Sequence, residues 1–198
     1  MNRRRENLGE LPDFSLKNNG PVSSKLVDLN IHRFHDAIHF INGLNYGRNS
    51  SKSDLTSVIR ENKGTCSTKH AVIKSILNEH EVNSIHLMLG IYKMDNNNTP
   101  GVGPVLEKHG LDYLPEAHNY LKYRGVRYDY TFPGASNPKV FEQLLEEITI
   151  EPKQITNFKV EYHQEFLQHW LQQEKLNSSF SLSTIWAIRE ECIQHLSN

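Results

Sequence analysis

Apolar residues recur at helical spacing in the first part of the chain and predict two helices before residue 64. A three-four-three spacing predicts the first helix, at Ile31, Phe34, Ile38 and Ile41. Asn30 is placed to cap this helix and Gly43 to end it. A capping pattern at residues 51–54 predicts a second, shorter helix. Residues 1–24 show no sustained periodicity, so we expect a loosely ordered lead-in there.

The next helix is predicted to begin at a cysteine. Gly64 permits a tight turn, Thr65 can cap the first helical turn, and Cys66 follows directly. Apolar residues then continue at helical spacing at Val72, Ile73, Ile76 and Leu77. Cys66 would lie among N–H groups that have no intrahelical partner, and these groups favour the thiolate over the thiol. A lone cysteine is also often a small buried hydrophobe. Cys66 by itself therefore does not indicate catalysis, and residues that could activate its thiol have to be found elsewhere in the chain.

The spacing changes from helical to alternating after residue 83. Ile85, Leu87, Leu89 and Ile91 alternate with other residues, which predicts a strand buried on one face and partly on the other. The Asn-rich stretch 95–101 predicts a loop, and Pro104 opens a short helical turn. Residues 116–123 and 126–132 predict two more strands, joined in a hairpin at Arg124-Gly125.

The end of the chain is predicted to be helical. Asn137-Pro138 is placed to start a helix through Glu147. Two later helices are indicated by an apolar face at Phe166, Leu167, Trp170 and Leu171 and another at Leu182, Ile185, Trp186, Ile193 and Leu196. These elements predict one α+β domain over residues 1–198. In it, the cysteine helix packs on a small antiparallel sheet of at least three strands, flanked by helices from both ends of the chain.

Composition narrows the possible settings and partners. The 198 residues include 22 Lys and Arg against 23 Asp and Glu, so no global field attracts nucleic acid or an anionic membrane. The two cysteines belong to no C-x-x-C pair, which argues against a disulfide framework and a thiolate zinc site. Neither a signal peptide nor a membrane span is expected. We therefore expect a cytoplasmic protein without a cofactor or metal.

The predicted hairpin supplies partners for Cys66. An efficient thiol nucleophile needs a base that carries its proton and a third group that orients the base. If Tyr123 faces Val126, counting outward places His118 and Asp129 as diagonal neighbours on one sheet face. A register shift of one residue would place them on opposite faces.

The order of these elements resembles the core of the transglutaminase-like superfamily, relatives of papain-type cysteine proteases, in its bacterial-type single-domain form. The resemblance rests on Gly64-Thr65-Cys66 at a helix start, Ala117-His118-Asn119-Tyr120 on one strand and Gly125 to Thr131, with its D-x-T, on the next. It covers roughly residues 55–131. It implies a Cys66-His118-Asp129 triad and a thioester route to hydrolysis or acyl transfer on a peptide, protein or small amide.

One departure from the family pattern keeps a rival hypothesis open. Many members have a tryptophan beside or shortly before the cysteine, whereas this chain has Ser67 after Cys66 and its only tryptophans are Trp170 and Trp186. The Cys66 backbone N–H is then the safest oxyanion donor. The rival hypothesis is a binding module that keeps the fold without turnover.

Other polar residues are weaker candidates for a functional site. His35 and His39 lie one helical turn apart around an acid, and we interpret them as a helix surface rather than a metal site. Lys69 and His70 are interpreted as solvated positions that could also lie near the thiol. Tyr46 and Arg48, in a loop before the cysteine helix, and Tyr120, beside His118, are candidates for substrate contact.

Overall fold

The structure is a computed structural model that describes residues 8, 10–134 and 139–196. The fold is mixed α+β, as predicted. The helices are α1 (Pro21–Asp28), α2 (Phe34–Gly43), α3 (Thr56–Arg60), α4 (Cys66–Glu79), α5 (Gly103–Lys108), α6 (Asn157–Gln173) and α7 (Leu182–His195). The strands are β1 (Asn45–Tyr46), β2 (Lys63–Gly64), β3 (His86–Met94), β4 (Leu114–Tyr123), β5 (Val126–Tyr128) and β6 (Leu144–Ile150). Short 3₁₀ helices occupy Lys139–Gln143 and Pro152–Ile155.

The chain divides into two compact units. Unit 1 takes its described residues from 1–89, 119–137 and 148–156, and unit 2 from 90–118, 138–147 and 157–198. Cys66 and Asp129 belong to unit 1, whereas His118 is the last residue of its segment of unit 2.

Four strands form one sheet in the order β5-β4-β3-β6, while β1 and β2 form a separate parallel pair. β4 and β5 are antiparallel, and Tyr123 pairs with Val126 as predicted. The turn residues Arg124 and Gly125 have φ angles of 48° and 81°. Positive φ at both central positions is what the tightest hairpin turns require, so the hairpin register follows from this dipeptide.

Unit 1 is built around α4. Ten of its fourteen residues are buried, and α1, α2, α3 and the 3₁₀ helix Pro152–Ile155 pack around it. A helix buried on nearly all sides carries its polar side chains into the core, where each needs a hydrogen-bond partner. Among the described residues, no buried side-chain nitrogen or oxygen lacks one.

The beginning of the chain is more ordered than predicted, because it packs into unit 1. The Leu16 N–H donates to the His32 carbonyl at 2.9 Å, and Phe14 stacks on Phe34 with 4.7 Å between ring centroids. Pro21 then opens α1, since its fixed φ suits a first helical turn. The lead-in prediction is therefore wrong for residues 11–24, and residues 1–7 and 9 lie outside the described part of the chain.

Asn30 has a different role from the predicted one. Its φ is 60°, and its N–H donates to the Val27 carbonyl at 2.9 Å, so it closes α1 in the left-handed conformation. Helix α2 begins later, at Phe34, and ends at Gly43 as predicted. Asparagine is favoured at both kinds of helix end, and spacing alone did not distinguish them.

The region before residue 150 also differs from the prediction. A helix through Glu147 was expected, but a 3₁₀ helix gives way to β6, the fourth strand of the sheet. Its predicted start at Asn137-Pro138 lies outside the described residues. The β-branched run Ile148-Thr149-Ile150 fits a strand once a sheet edge is available to it.

Unit 2 has its own hydrophobic core, which includes Trp170 and Leu171 of α6 and Ile185, Ile188 and Cys192 of α7. The residues of the two predicted apolar faces belong to this core or pack against it, with the exception of Ile193. Arg189 of α7 donates two hydrogen bonds to the buried Glu116 carboxylate of β4, at 2.8 and 2.6 Å. Despite the opposing effect of burial, the Arg189 charge and its hydrogen bonds lower the pKa of Glu116 to about 2.

Replacing Glu116 by Gln should lower the free energy of unfolding by about 3 kcal/mol, because the largely buried Arg189 would lose its main counter-charge. Urea unfolding followed by tryptophan fluorescence checks this, since Trp170 and Trp186 both belong to unit 2. Lys108→Gln is the control, because its ion pair with Glu191 is exposed and should contribute much less to stability. The stability that Glu116 contributes should be present above its ordinary pKa of 4.5 and lost as the pH falls towards 2. Equal stability losses in the two variants would contradict this account.

Candidate active site

Cys66 occupies the first position of α4, as predicted. Thr65 caps the helix in an extended conformation, and its side-chain oxygen accepts from the Thr68 N–H. The Thr68 hydroxyl oxygen accepts in turn from the Thr65 N–H at 2.9 Å, which completes a capping box. Cys66 is half-buried, and its Sγ lies 3.8 Å from the Ser67 hydroxyl oxygen. The thiol is therefore held at a capped helix start with part of its surface open to solvent.

Gly64 is required by the close approach of this helix start. A Cβ atom at residue 64 would lie 3.0 Å from Cγ of Lys69 and 3.0 Å from Oγ1 of Thr68. Gly64 also pairs with Tyr46 in the parallel β1-β2 ladder. The glycine therefore lets the Tyr46 loop and the first turn of α4 meet two residues before the cysteine.

Two amide side chains, the buried Asn119 and the partly buried Asn49, hold the first turn of α4 in place. The Ser67 hydroxyl donates to Oδ1 of Asn119 at 2.9 Å, and Nδ2 of Asn119 donates to the Met88 carbonyl on β3 at 2.9 Å. On another side, the Thr68 hydroxyl donates to Oδ1 of Asn49 at 2.8 Å. Neither amide was predicted as a site residue, because only the tertiary structure shows which side chains meet α4.

His70 is a buried structural residue, so the interpretation of a solvated position is wrong. Its Nε2 accepts from the Tyr130 N–H at 2.8 Å, and its Nδ1 lies 2.7 Å from the Cys66 carbonyl oxygen. Nε2 must be unprotonated to accept, so Nδ1 carries the proton and donates to that carbonyl. Both ring nitrogens are thus engaged in tying residue 130 to α4, which makes His70 a poor proton carrier for the thiol.

Lys69 is also fully buried, which corrects the same interpretation. Its ammonium donates to the carbonyl oxygens of Asn42, Leu44 and Thr131. Desolvation lowers the pKa of Lys69 to about 8, while the nearby Asp129 charge acts in the opposite direction.

Asp129 lies just beyond the end of β5. Its Oδ1 accepts from the Thr131 N–H at 2.8 Å and from the Thr131 hydroxyl at 2.5 Å, and lies 3.6 Å from Nε2 of His70. This local turn ends the strand at Tyr128, so the predicted strand through Phe132 is too long. The β4-β5 ladder accordingly runs from Tyr123↔Val126 to Leu121↔Tyr128 and ends before Asp129, so the strand pairing that was counted outward to this residue does not extend to it.

The chain contains the same D-x-T arrangement a second time. Oδ1 of Asp54 accepts from the Thr56 N–H at 3.0 Å and from the Thr56 hydroxyl at 2.6 Å, just before α3. Unlike Asp129, Asp54 forms an exposed ion pair with Arg60. The D-x-T pattern thus specifies a turn, and only burial beside α4 distinguishes Asp129.

His118 is half-buried in β4 within unit 2. Its ring meets the Tyr92 ring edge-on, with 6.1 Å between the centroids. The structure thus gives the imidazole an ordered aromatic neighbour, and the predicted role of His118 as the base stays a prediction.

The candidates for substrate contact differ in exposure. Tyr46 is half-buried and stacks on Phe132, with 5.0 Å between ring centroids, and Phe132 is 45% exposed. Arg48 is exposed in the same loop. Tyr120, by contrast, is fully buried, so its predicted substrate contact has no support from exposure. Phe132 was missed because its partner lies 86 positions earlier in the chain.

The described part of the chain has neither a cluster of metal-binding side chains nor a membrane-spanning helix. No three His, Cys, Asp or Glu side chains there are grouped so that they could hold a metal ion. Nε2 of His35 lies 2.9 Å from the Leu11 carbonyl oxygen, so that ring helps to fix the preceding segment. None of the described helices combines the length and apolar character that a membrane crossing requires.

Comparison with known proteins gives no independent assignment: no family model, curated protein or solved structure matches this chain.

Iodoacetamide at mildly acidic to neutral pH should alkylate Cys66 well before Cys192. Cys66 is partly exposed at a helix start, whereas burial, with the nearby Glu116 and Glu191, raises the pKa of Cys192 to about 11. Peptide mapping by mass spectrometry measures the order of labelling. Earlier labelling of Cys192 would contradict the prediction.

Gly64→Ala should destabilise unit 1 by about 1–3 kcal/mol, because the added methyl group overlaps the first turn of α4. Gly43→Ala is the matched control, since nothing lies within 4 Å of a Cβ atom there. It should change stability by less than about 1 kcal/mol. Urea unfolding monitored by far-ultraviolet circular dichroism compares the two variants, and equal losses would count against the steric explanation.

Proposed function

We propose that the protein is a cysteine-dependent amide or peptide hydrolase, or a related acyltransferase, with Cys66 as its nucleophile. The observation that carries the proposal is the placement of a half-exposed thiol at the first residue of a capped helix. N–H groups without intrahelical partners and the helix dipole favour a thiolate there. Cys192, the chain's other cysteine, is fully buried.

The environment of the first turn of α4 supports this role. Ser67, Thr68, Lys69 and His70 each have a hydrogen-bond partner outside α4. A reacting group must be held within a fraction of an ångström of its productive position, and such fixed neighbours limit the movement of the helix start. A cysteine that served only as a small hydrophobe would not need this support.

The proposed reaction begins with attack of the Cys66 thiolate on an amide carbonyl carbon. The oxyanion that forms can be stabilised by the Cys66 backbone N–H. The C–N bond then breaks, the amine leaves with a proton from the base, and a thioester remains on Cys66. Water, deprotonated by the same base, attacks the thioester and releases a carboxylic acid and the free thiol.

His118 and Asp129 complete the proposal as base and orienting acid, roles carried over from the sequence resemblance. Support for Asp129 comes from its burial, its two hydrogen bonds from Thr131 and its position beside α4. A buried carboxylate held in one orientation is suited to fixing an imidazole and stabilising its charged form. A core of the papain or transglutaminase-like type also belongs to the proposal. The cysteine helix and the hairpin favour it.

A peptide, protein or small amide is the proposed substrate. Tyr46 and Arg48 are proposed to contact it, together with Phe132, which stacks on Tyr46. The pairing of Tyr46 with Gly64 keeps this loop near the start of α4. Hydrolysis is the first reaction to test, because water needs no acceptor pocket, whereas transfer to an amine does. The setting is proposed to be cytoplasmic, since a catalytic thiol needs reducing conditions.

A binding module without turnover is the second candidate. The observation that favours it is that Cys66 has no tryptophan neighbour in sequence, since Trp170 and Trp186 lie in the late helices α6 and α7. A cysteine-directed activity probe separates the two candidates. Labelling that requires both Cys66 and His118 would favour the enzyme, and labelling indifferent to His118 would favour the binding module.

Screening against amide and glutamine-containing peptide libraries should give turnover that Cys66→Ala and His118→Ala abolish. Asp129→Asn should lower kcat/KM by on the order of 10²-fold or more, because the imidazole loses its charge support. The fold should survive, since an amide oxygen can still accept from Thr131. Asp54→Asn is the matched control, since it alters the same D-x-T turn at a surface site and should keep wild-type kcat/KM.

These outcomes separate the roles of the three residues. Nearly full activity of Asp129→Asn would remove Asp129 from the triad without affecting Cys66. Turnover by Cys66→Ala would overturn the whole proposal.

A further inference from the structure

Lys69 places a buried cation one turn after Cys66. The residue has no exposed surface, and its ammonium donates to the carbonyl oxygens of Leu44 at 2.6 Å, Thr131 at 2.8 Å and Asn42 at 3.2 Å. An ammonium has three N–H donors, so these three carbonyls match its full hydrogen-bonding capacity. The group is thus fixed in position.

The three carbonyls belong to two segments that carry proposed site residues. Asn42 and Leu44 lead from the end of α2 to Tyr46 in β1. Thr131 lies between Asp129, whose side chain it binds, and Phe132. The rings that follow these two segments, Tyr46 and Phe132, stack on each other. We call residues 42–48 the substrate loop and residues 129–132 the acid turn. The Lys69 ammonium therefore ties α4 to both segments.

Filling space does not account for a lysine at this position. Burying an ammonium is costly, and a methionine of similar length would occupy the volume without that cost. A buried charge in a region of low dielectric, however, acts on nearby ionisable groups far more strongly than a surface charge does. Residues three apart on a helix are neighbours, so Cys66 and Lys69 lie side by side in the first turn of α4.

We propose that Lys69 is a positioning residue of the active site: its ammonium fixes the acid turn and the substrate loop against the first turn of α4, and its charge supports the Cys66 thiolate. This inference rests on the proposed function. Asp129 on the turn is the ionisable group whose charge acts on Lys69, and Cys66 and His70 are its ionisable neighbours along α4. Asp129 is the counter-charge, and His70 is neutral in its hydrogen-bonding arrangement.

Lys74 provides a matched control on the same helix. It is also buried, and its ammonium donates to the Ile85 carbonyl at 2.9 Å. Burial lowers its pKa as well, while the charge of Glu151 acts in the opposite direction. Lys74 thus repeats the burial and the carbonyl contact of Lys69 without touching the substrate loop or the acid turn.

The test measures the rate of Cys66 alkylation by iodoacetamide from pH 5 to pH 10 in the full-length chain, with peptide mapping. Lys69→Met removes the charge and the donors, Lys69→Gln keeps donors without charge, and Lys69→Arg keeps both. We expect Lys69→Met and Lys69→Gln to react about tenfold more slowly than wild type at pH 6–7 and equally fast near pH 10, where the thiolate forms in every variant. Lys69→Arg should be closest to wild type among the Lys69 variants, and Lys74→Met should follow the wild-type profile.

The shape of the profile separates a charge effect from a structural one. A rate lowered equally at every pH would mean that access to Cys66 is blocked, and this would overturn the charge role. A similar loss in Lys74→Met, or wild-type profiles in both neutral Lys69 variants, would overturn the inference altogether. If Lys69→Met does not fold, Lys69→Gln and Lys69→Arg still supply the decisive comparison.

Failure of the inference is distinguishable from failure of the proposed function, because alkylation needs no substrate. Where wild-type turnover is found, kcat and KM should both worsen in Lys69→Gln, since the acid turn and the substrate loop lose the same anchor. Wild-type turnover combined with unchanged Lys69 variants would overturn only the role of Lys69. A wild-type chain without turnover but with a Lys69-dependent alkylation profile would overturn only the proposed hydrolase.

Discussion

The burial of α4 is the constraint on which the rest of unit 1 depends. This helix has core on nearly every side, yet Ser67, Thr68, Lys69 and His70 fall in its first turn and a half. Polar groups in a core need partners, and the partners come from β4, the loop after β1, the turn after β5 and the end of α2 with the residue that follows it. The hydrogen bonds that make the burial of α4 possible therefore also hold the surroundings of Cys66.

The two D-x-T turns show how position in the fold changes the environment of a local motif. Asp54 and Asp129 bind a threonine two residues later in the same way. Asp54 lies at the surface beside Arg60, whereas Asp129 is buried beside a neutral histidine and the Lys69 ammonium. A carboxylate in the second environment can act on other groups, because solvent does not screen its charge.

Unit 2 also removes charged side chains from water, and there two side chains of opposite charge pair with each other. Glu116 is buried and Arg189 is largely buried, and their paired hydrogen bonds offset the cost of removing these charges from water. Cys192 lies in the same core, where burial and the nearby carboxylates keep its thiol protonated. The two cysteines thus lie in contrasting environments, one at a polar helix start and one in an apolar core, and this contrast is the basis for their expected difference in reactivity.

Local rules in the sequence determined much of this protein. The Thr65 cap, the start of α4 at Cys66, the hairpin at Arg124-Gly125 and the apolar faces of α6 and α7 depend on neighbours within a few residues, so spacing predicted them. Tertiary structure decided the rest. Strand β6 formed because a sheet edge was available, and residues before α1 became ordered by packing. The burial of Lys69 and His70, and their contacts with residues 42–44 and 130–131, join segments about 25 to 60 positions apart, which no local pattern encodes.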